Sequence, residues 1–457
     1  MVTWRGDQIL EVAVSAVKAQ NFERAAELCV QAIKVKPELA EAWHIRGICL
    51  LRQQRFFDAL LHFDRALEIR EDMADCWNNR GIAFAEIGMW ESAQDSFQRS
   101  LSMAKTVEPH VMCGGMFAHL MQLEAAEKEF AAALEIEPDL HDAHIKRGVI
   151  LLGMGRWKEG FPEYAWRWYD TPYPPRAWRS FPTWDGHDMS AGHRGTAETL
   201  LVYSEQGYGD EIMSLRFVDM IRHLAARLIV EVRPTMKRLA EGSLGVEVIA
   251  AGDTYPDGID YSCPLLDVPM VLGMTPEALP QKIRYLHQPR VPAEIIGRMP
   301  EGFKVGLCWS SGRRPLQPET ERSASAKSIP LEMLRPLMDT GAKFVSLQLP
   351  RAPIPRGMPI VDFTDYIDDM KHTAEIVAGL DLVISVDTAI AHLAGALGVP
   401  VWNLVRFNGY WPWMRETDKT VWYPSMRIFR QPALGDWESV IGRVRERLVD
   451  AVGERAP

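Results

Sequence analysis

A chain of 457 residues is too long for one hydrophobic core, so two or three domains are expected. With 47% hydrophobic and 25% charged residues, its composition is that of a globular protein and excludes a disordered or fibrous one. A formal net charge of -10 argues against a broad nucleic-acid footprint, which would need clustered Lys and Arg facing phosphates. Small anionic ligands held by local positive potential stay open.

The segment Met1 to Asp7 meets an acidic residue early and has no apolar signal core behind it. The longest apolar region, Ile376 to Val405, is interrupted by Asp381, Asp387 and His392, which reads as buried strand and helix rather than a membrane span. A cytoplasmic protein is the expectation. The six cysteines, Cys29, Cys49, Cys76, Cys113, Cys263 and Cys308, show no C-x-x-C spacing and mostly occupy apolar positions, as free, buried thiols do.

The N-terminal third repeats. Ile9, Trp43 and Trp77 recur at intervals of 34, followed by His110 and His144 at 33 and 34. Four residues after each marker stands a small residue: Ala13, Gly47, Gly81, Gly114 and Gly148. Ala25, Ala59, Ala93, Ala126 and Gly160 follow at a second fixed offset, then Cys29, Phe63, Phe97, Phe130 and Tyr164, bulky apolar residues in all but the first. Small residues thus face large ones across each helical hairpin, and Pro37 and Pro138 fall at turns between repeats.

This register resembles the tetratricopeptide repeat over roughly residues 3 to 170. An α solenoid of this kind leaves a concave groove for an extended peptide. Peptide or protein docking is favoured over pure scaffolding or oligomerisation. The last repeat decays into Trp157, Phe161, Tyr164, Trp166, Trp168 and Tyr169; such a belt could bind sugar or peptide, but the favoured reading is a cap sealing the solenoid end against the next domain. Residues 171–198, rich in Pro, Gly and turn formers, read as a linker.

From Thr199 onward short apolar runs alternate with helices. Expected strands are Leu200 to Tyr203, Leu228 to Val232, Val246 to Ala250, Val305 to Trp309, Phe344 to Leu347, Leu382 to Val386 and Val401 to Leu404. Alternation predicts parallel sheets wrapped by helices. Met299 to Gly302, carrying Pro and Gly, divides the region into lobes at 199–298 and 299–457. Ligands would bind beyond the carboxyl ends of the strands, in the cleft between the lobes.

Three motifs point into that cleft. Gly207-Tyr208-Gly209-Asp210 follows the first strand and opens a helix from Glu211 to Ala226. Asp210 there reads equally as a general base or as a helix cap. Asp387-Thr388-Ala389-Ile390-Ala391-His392 follows the strand Leu382 to Val386, so that Thr388 and nearby backbone N–H groups could hold a diphosphate, with His392 on a phosphate or ribose oxygen. The plainer alternatives are a cap for Asp387 and a core histidine for His392; the small residues Ala394, Gly395 and Ala396 favour the ligand site. Trp309-Ser310-Ser311-Gly312-Arg313-Arg314, with Lys327-Ser328-Ile329-Pro330 behind it, offers hydroxyls and cations to a diphosphate, Lys327 ahead of the arginines; a solvated basic loop is the alternative.

Taken in order, these motifs resemble the heptosyltransferase-like family of glycosyltransferases with the GT-B architecture, in its members that carry N-terminal tetratricopeptide repeats. That likeness implies a metal-independent, inverting hexosyl- or heptosyltransferase-like enzyme. It implies Asp210 as base; Ser310, Ser311 and Lys327 on the donor diphosphate; and Asp387, Thr388, Ala389 and His392 on donor phosphates and sugar. The chain has no Asp-x-Asp pair for a cation. Two departures are the insertion Pro315 to Ala326 ahead of Lys327 and a first lobe small for half a nucleotide fold.

The expected reaction moves a sugar from a nucleotide-sugar donor, with no other cofactor, to a hydroxyl of a protein acceptor docked by the repeats. The alternatives are glycan assembly on a saccharide or lipid-linked acceptor, and a non-catalytic interaction or scaffold protein. The aromatic run Asn408 to Trp413 could stack on a base or sugar, although packing is more usual. Asp436 to Leu448 predicts a final amphipathic helix.

Overall fold

The structure, a computed structural model, describes residues 5–170, 181–190, 197–282, 284–312, 324–415 and 417–454. The chain divides into two units. One is Met1–Ile150 with Trp166–Asp170; the other is Leu151–Ala165 with Thr171–Pro457. No helix among the described residues is long and apolar enough to cross a membrane.

The first unit is a run of helical hairpins: α1 (Gly6–Lys18), α2 (Phe22–Val35), α3 (Ala40–Arg52), α4 (Phe56–Ile69), α5 (Ala74–Glu86), α6 (Trp90–Met103), α7 (Val107–His119) and α8 (Leu123–Ile136). Next in the chain come α9 (His141–Gly153), which belongs to this unit up to Ile150, α10 (Trp157–Tyr164), which belongs to the other, and the short α11 (Arg167–Asp170), which belongs to this one. Three of the hairpins close by the small-on-large rule. A Cβ added at Gly47 would stand 2.4 Å from the Phe63 ring, one at Gly81 2.6 Å from Phe97, and one at Gly114 2.7 Å from Phe130. Any side chain there would drive the two helices apart.

The markers of the repeat have a job of their own. The indole N–H of Trp43 donates to the Pro37 carbonyl at 2.8 Å, that of Trp77 to Glu71 at 2.9 Å, and His144 Nε2 lies 2.7 Å from the Pro138 carbonyl. Each ring therefore ties down the turn before its own helix, supplying a donor that the turn carbonyl needs. A second periodic feature lies between the helices of each hairpin. Gln20, Gln54, Gly88, Met121 and Gly155 all have positive φ, between 57 and 79°. They reverse the chain in the left-handed region that usually ends a helix.

In the second unit, β1 (Thr199–Tyr203), β2 (Arg227–Val232), β3 (Glu247–Ala250) and β4 (Tyr261–Pro264) form a sheet in the order β3-β2-β1-β4. A six-stranded sheet follows, made of β5 (Lys304–Cys308), β6 (Lys343–Ser346), β7 (Ile360–Asp362), β8 (Leu382–Val386), β9 (Val401–Val405) and β10 (Met426–Arg430), in the order β10-β9-β8-β5-β6-β7. Every strand pairing within the two sheets is parallel. β1 and β8 are buried along their whole length, as strands covered on both faces must be. One face of the larger sheet (Val305, Leu307, Phe344, Leu382, Ile384) packs in a cluster with Val440, Ile441, Val444 and Leu448 of the C-terminal helix Trp437–Gly453.

Counted from β5, the strands of the larger sheet lie in the doubly wound order, whose direction reverses between β5 and β8. The crevice beyond the carboxyl ends of those two strands is where such sheets take ligands. In the smaller sheet the same reversal falls between β1 and β4.

Three strands, β4, β7 and β10, escape the sequence reading. The helix expected from Glu211 to Ala226 is broken into Tyr208–Ser214, a 3-10 turn at Leu215–Phe217 and Val218–Ile221. The expected linker is only partly described, residues 171–180 and 191–196 lying outside; its described part packs in the second unit. Trp184 is fully buried, its backbone N–H donates to the Ser262 carbonyl at 3.0 Å, and Met189 N–H donates to Leu224 at 2.7 Å. An apolar indole with that much area does not stay in solvent when a sheet edge is beside it.

The aromatic belt also divides. Trp157 stacks on Trp422 at 5.1 Å and Phe161 meets Trp411 edge-on at 5.9 Å, all inside the second unit. Trp166 stacks on His144 at 4.0 Å in the first. All six cysteines are buried.

Candidate functional site

After β1 the chain turns through Gln206, at φ 61°, and Gly207 to open the helix Tyr208–Ser214. Asp210 sits in its first turn, and its Oδ2 accepts the Gly207 N–H at 3.0 Å. The capping role left open by the sequence is therefore filled. The other oxygen, Oδ1, accepts the Tyr410 hydroxyl at 3.3 Å. Glu211, next in sequence, is wholly committed: it is buried, accepts the Arg233 backbone N–H at 2.8 Å and pairs with the Arg233 guanidinium. Burial raises the Asp210 carboxyl above its usual range; the Asp387 carboxylate adds to this, while the Gly207 N–H and the Lys327 ammonium oppose it.

The loop after β5 is shaped by a residue that no sequence motif singles out. Gln348 Oε1 accepts the N–H groups of Trp309 at 3.1 Å and Ser310 at 2.9 Å, and its Nε2 donates to the Ser310 carbonyl at 3.1 Å. Ser328 Oγ accepts the Ser311 N–H at 3.1 Å and donates to the Ala324 carbonyl at 2.7 Å. Ser310 and Ser311 are thus stitched to the segment carrying Lys327. Arg313 and Arg314 lie outside the described residues.

At the end of β8, Thr388 caps the helix Ala389–Ala396: its hydroxyl accepts the Ile390 N–H at 3.3 Å and meets Ser385 Oγ at 2.9 Å. Ala389 opens that helix, contributing one of its free first-turn N–H groups. Lys327 Nζ pairs with Asp387 Oδ2 at 3.1 Å. Burial works to raise the Asp387 carboxyl, but Lys327 and His392 hold it below the usual range. His392 is buried with its Nδ1 2.9 Å from the Tyr423 hydroxyl, and its ring lies 4.9 Å from that of Trp413. Burial pushes this imidazole down to about 4, so it is neutral at pH 7.

The turn after β1 and the helix after β8 meet. A Cβ added at Gly209 would stand 2.8 Å from His392 Cδ2 and 3.0 Å from Nε2. Tyr410 completes the join: its hydroxyl reaches Asp210, and its ring centroid is 5.8 Å from Lys327 Nζ. The structure therefore gathers Asp210, Lys327, Asp387, Thr388 and His392 at one place, at the carboxyl end of β8 and against the turn after β1. Ser310 and Ser311 stand in the adjoining loop. Trp411 and Trp413 are buried in packing contacts. Among the described residues, no group of three or more His, Cys, Asp or Glu is placed to hold a metal ion.

The tetratricopeptide repeat family matches residues 38–106. Protein FlbA of Caulobacter vibrioides is 31% identical over 370 residues, covering 72% of this chain and 59% of that protein. The chain thus spans less than two thirds of that relative's length. Among solved structures, MamA from Desulfovibrio magneticus RS-1 is 14% identical, with a TM-score of 0.32, covering 36% of this chain and 92% of that one. YrrB, described as a TPR protein with an unusual peptide-binding site, is 21% identical, with a TM-score of 0.29, covering 34% of this chain and 79% of that one. The N-terminal region carries tetratricopeptide repeats.

Proposed function

We propose that the second unit is an inverting glycosyltransferase of the two-lobed GT-B kind, moving a sugar from a nucleotide-diphosphate-sugar to a hydroxyl, and that the repeat array docks a protein or peptide acceptor. The observation that carries the reading is the seating of Gly209 on His392. It sets the carboxylate after β1 against the Lys327, Thr388 and His392 groups at the reversal point of the larger sheet. A base on one side and diphosphate-binding groups on the other is what a displacement with inversion asks of a site.

In this reading Asp210 accepts the proton of the acceptor hydroxyl. Its raised carboxyl strengthens it as a base while the Tyr410 and Gly207 donors keep it oriented. Lys327, the first-turn N–H groups behind Thr388 and the serine loop offset the charge that grows on the departing diphosphate. His392, neutral and held at Nδ1 by Tyr423, can present Nε2 to a phosphate or ribose oxygen.

One observation favours the non-catalytic alternative: Lys327 is matched by Asp387, and Asp210 by Gly207 and Tyr410, so the charged groups satisfy one another without a ligand. Substitution at Asp210 separates the two. Asp210→Asn keeps an oxygen for the Gly207 cap and loses the base. It should fold as the native protein, bind nucleotide-sugar in calorimetry and lose transfer by roughly a factor of 100 to 10,000. Transfer at the native rate removes Asp210 as base, and failure of the native protein to bind any of a broad nucleotide-sugar panel removes the enzyme reading.

A further inference from the structure

Two cations of the cleft are already engaged by the protein. Among the described residues, Lys327 is paired with Asp387 at 3.1 Å, and Arg430, a second cation in electrostatic reach of Asp387, donates to the Trp413 and Met414 carbonyls. A diphosphate entering there would meet cations already engaged by the protein itself. A third cation nearby is not engaged. Arg406 follows directly on β9, which pairs with β8, at the carboxyl end where a doubly wound sheet takes its ligand.

Its side chain makes no hydrogen bond, ion pair or ring contact with any described residue, and Nε is buried with no partner. Burial lowers the Arg406 guanidinium, and the Asp387 carboxylate is near enough to oppose that without pairing to it. A half-buried arginine whose Nε is shut off from solvent without a partner costs free energy that a purely structural residue would not carry.

A further unused donor lies close in the fold. The Phe407 N–H donates to Gln431 Oε1 at 3.1 Å, which places the Gln431 amide beside Arg406, and Gln431 Nε2 is buried with no partner. An unmatched amide N–H and an unmatched guanidinium on adjoining parts of the chain are complementary to an oxyanion.

We infer that Arg406 is an anion-binding cation of this cleft, taking a phosphate group of the donor in fork geometry with the Gln431 amide as a neighbouring donor. The inference deepens the glycosyltransferase reading, on which the identity of the phosphate as the donor's rests. The binding itself does not depend on transfer.

The test uses the full chain and inorganic pyrophosphate in low-salt calorimetry, comparing the native protein with Arg406→Gln, Arg406→Lys and Arg427→Gln. Arg427 is the control, since it is exposed and paired with Asp418 at 3.0 Å. Arg406→Gln should weaken pyrophosphate by roughly 10- to 100-fold, the size of a charge-assisted contact. Arg406→Lys should fall between, and Arg427→Gln should bind as the native protein does. Without ligand, Arg406→Gln should melt no lower than the native protein, and pyrophosphate should raise the melting temperature of the native protein and Arg427→Gln by more than that of Arg406→Gln.

Equal pyrophosphate affinity in Arg406→Gln, equal loss in Arg427→Gln, or no binding by the native protein each overturns the inference. A nucleotide-sugar bound equally by Arg406→Gln and the native protein also overturns it and leaves the glycosyltransferase reading standing. Arg406-dependent pyrophosphate binding with no nucleotide-sugar bound upholds the inference and ends that reading.

Discussion

Replacing Gly209 by alanine tests whether the turn after β1 and the helix after β8 meet as described. The new methyl would lie 2.8 Å from His392 Cδ2, where carbon atoms prefer roughly 3.5–4.0 Å, so something must move by about 0.7 Å or more. The imidazole cannot readily yield, because Tyr423 holds its Nδ1 at 2.9 Å and the Trp413 ring lies 4.9 Å away.

Overfilling a site of this kind costs about 1–3 kcal/mol, which in a domain of this size lowers Tm by roughly 2–4 °C for each kcal/mol. Gly242→Ala is the internal control: it lies in the helix Lys237–Leu244, has nothing within 4 Å of its added Cβ, and should gain up to about 1 kcal/mol of helix propensity. Calorimetric melting of both variants therefore gives opposite signs for one chemical change. Equal or higher stability in Gly209→Ala would refute the contact and, with it, the observation on which the proposed function rests.

Two further outcomes follow from the burial of titratable groups. Because the folded His392 is depressed to about 4 from an ordinary value near 6.5, the unfolded chain binds the extra proton first. Stability from this residue is full above about pH 6.5 and falls by something on the order of 3 kcal/mol as the pH drops to 4. The raised Asp210 carboxyl acts in the opposite sense, so the clean measurement is the difference in denaturant stability between native and His392→Asn across that window; a flat difference would contradict the burial. Cys29, Cys76 and Cys113, pushed by burial up to about 12, should react with an aromatic disulfide reagent at pH 8 only after guanidinium unfolding. Rapid labelling of the folded protein would show that the solenoid opens.

Most of the fold was legible because its strongest signals are local and periodic. The Gly47–Phe63, Gly81–Phe97 and Gly114–Phe130 contacts are written into the sequence as a fixed offset, and the central strands appear as short apolar runs. The three strands missed, β4, β7 and β10, are all edge strands. An edge needs one hydrogen-bonded neighbour only, so it tolerates Pro264 in β4, a half-buried triplet in β7 and the arginines at either side of Ile428 in β10.

In the cleft, residues at strand ends were readable because a strand, a turn and a helix start announce them. Gln348, Tyr423 and Arg406 were not. What each does depends on chain segments far away in sequence, and no spacing rule links Gln348 to Ser310, Tyr423 to His392, or Gln431 to the backbone after Arg406. The repeat markers carried a signal that could have been read further: Trp43, Trp77 and His144 each stand six residues after the carbonyl they bind.

The helix α10 carries the sequence register of a fifth repeat, yet its Trp157 and Phe161 lie against Trp422 and Trp411, and it groups with the second unit. A truncation placed by sequence similarity, after residue 170, would strip these rings away and expose the indoles they cover. A cut ahead of Leu151 keeps them. In evolutionary terms the array has room to lengthen or shorten upstream, where one hairpin resembles the next, whereas its final hairpin is no longer free to be exchanged.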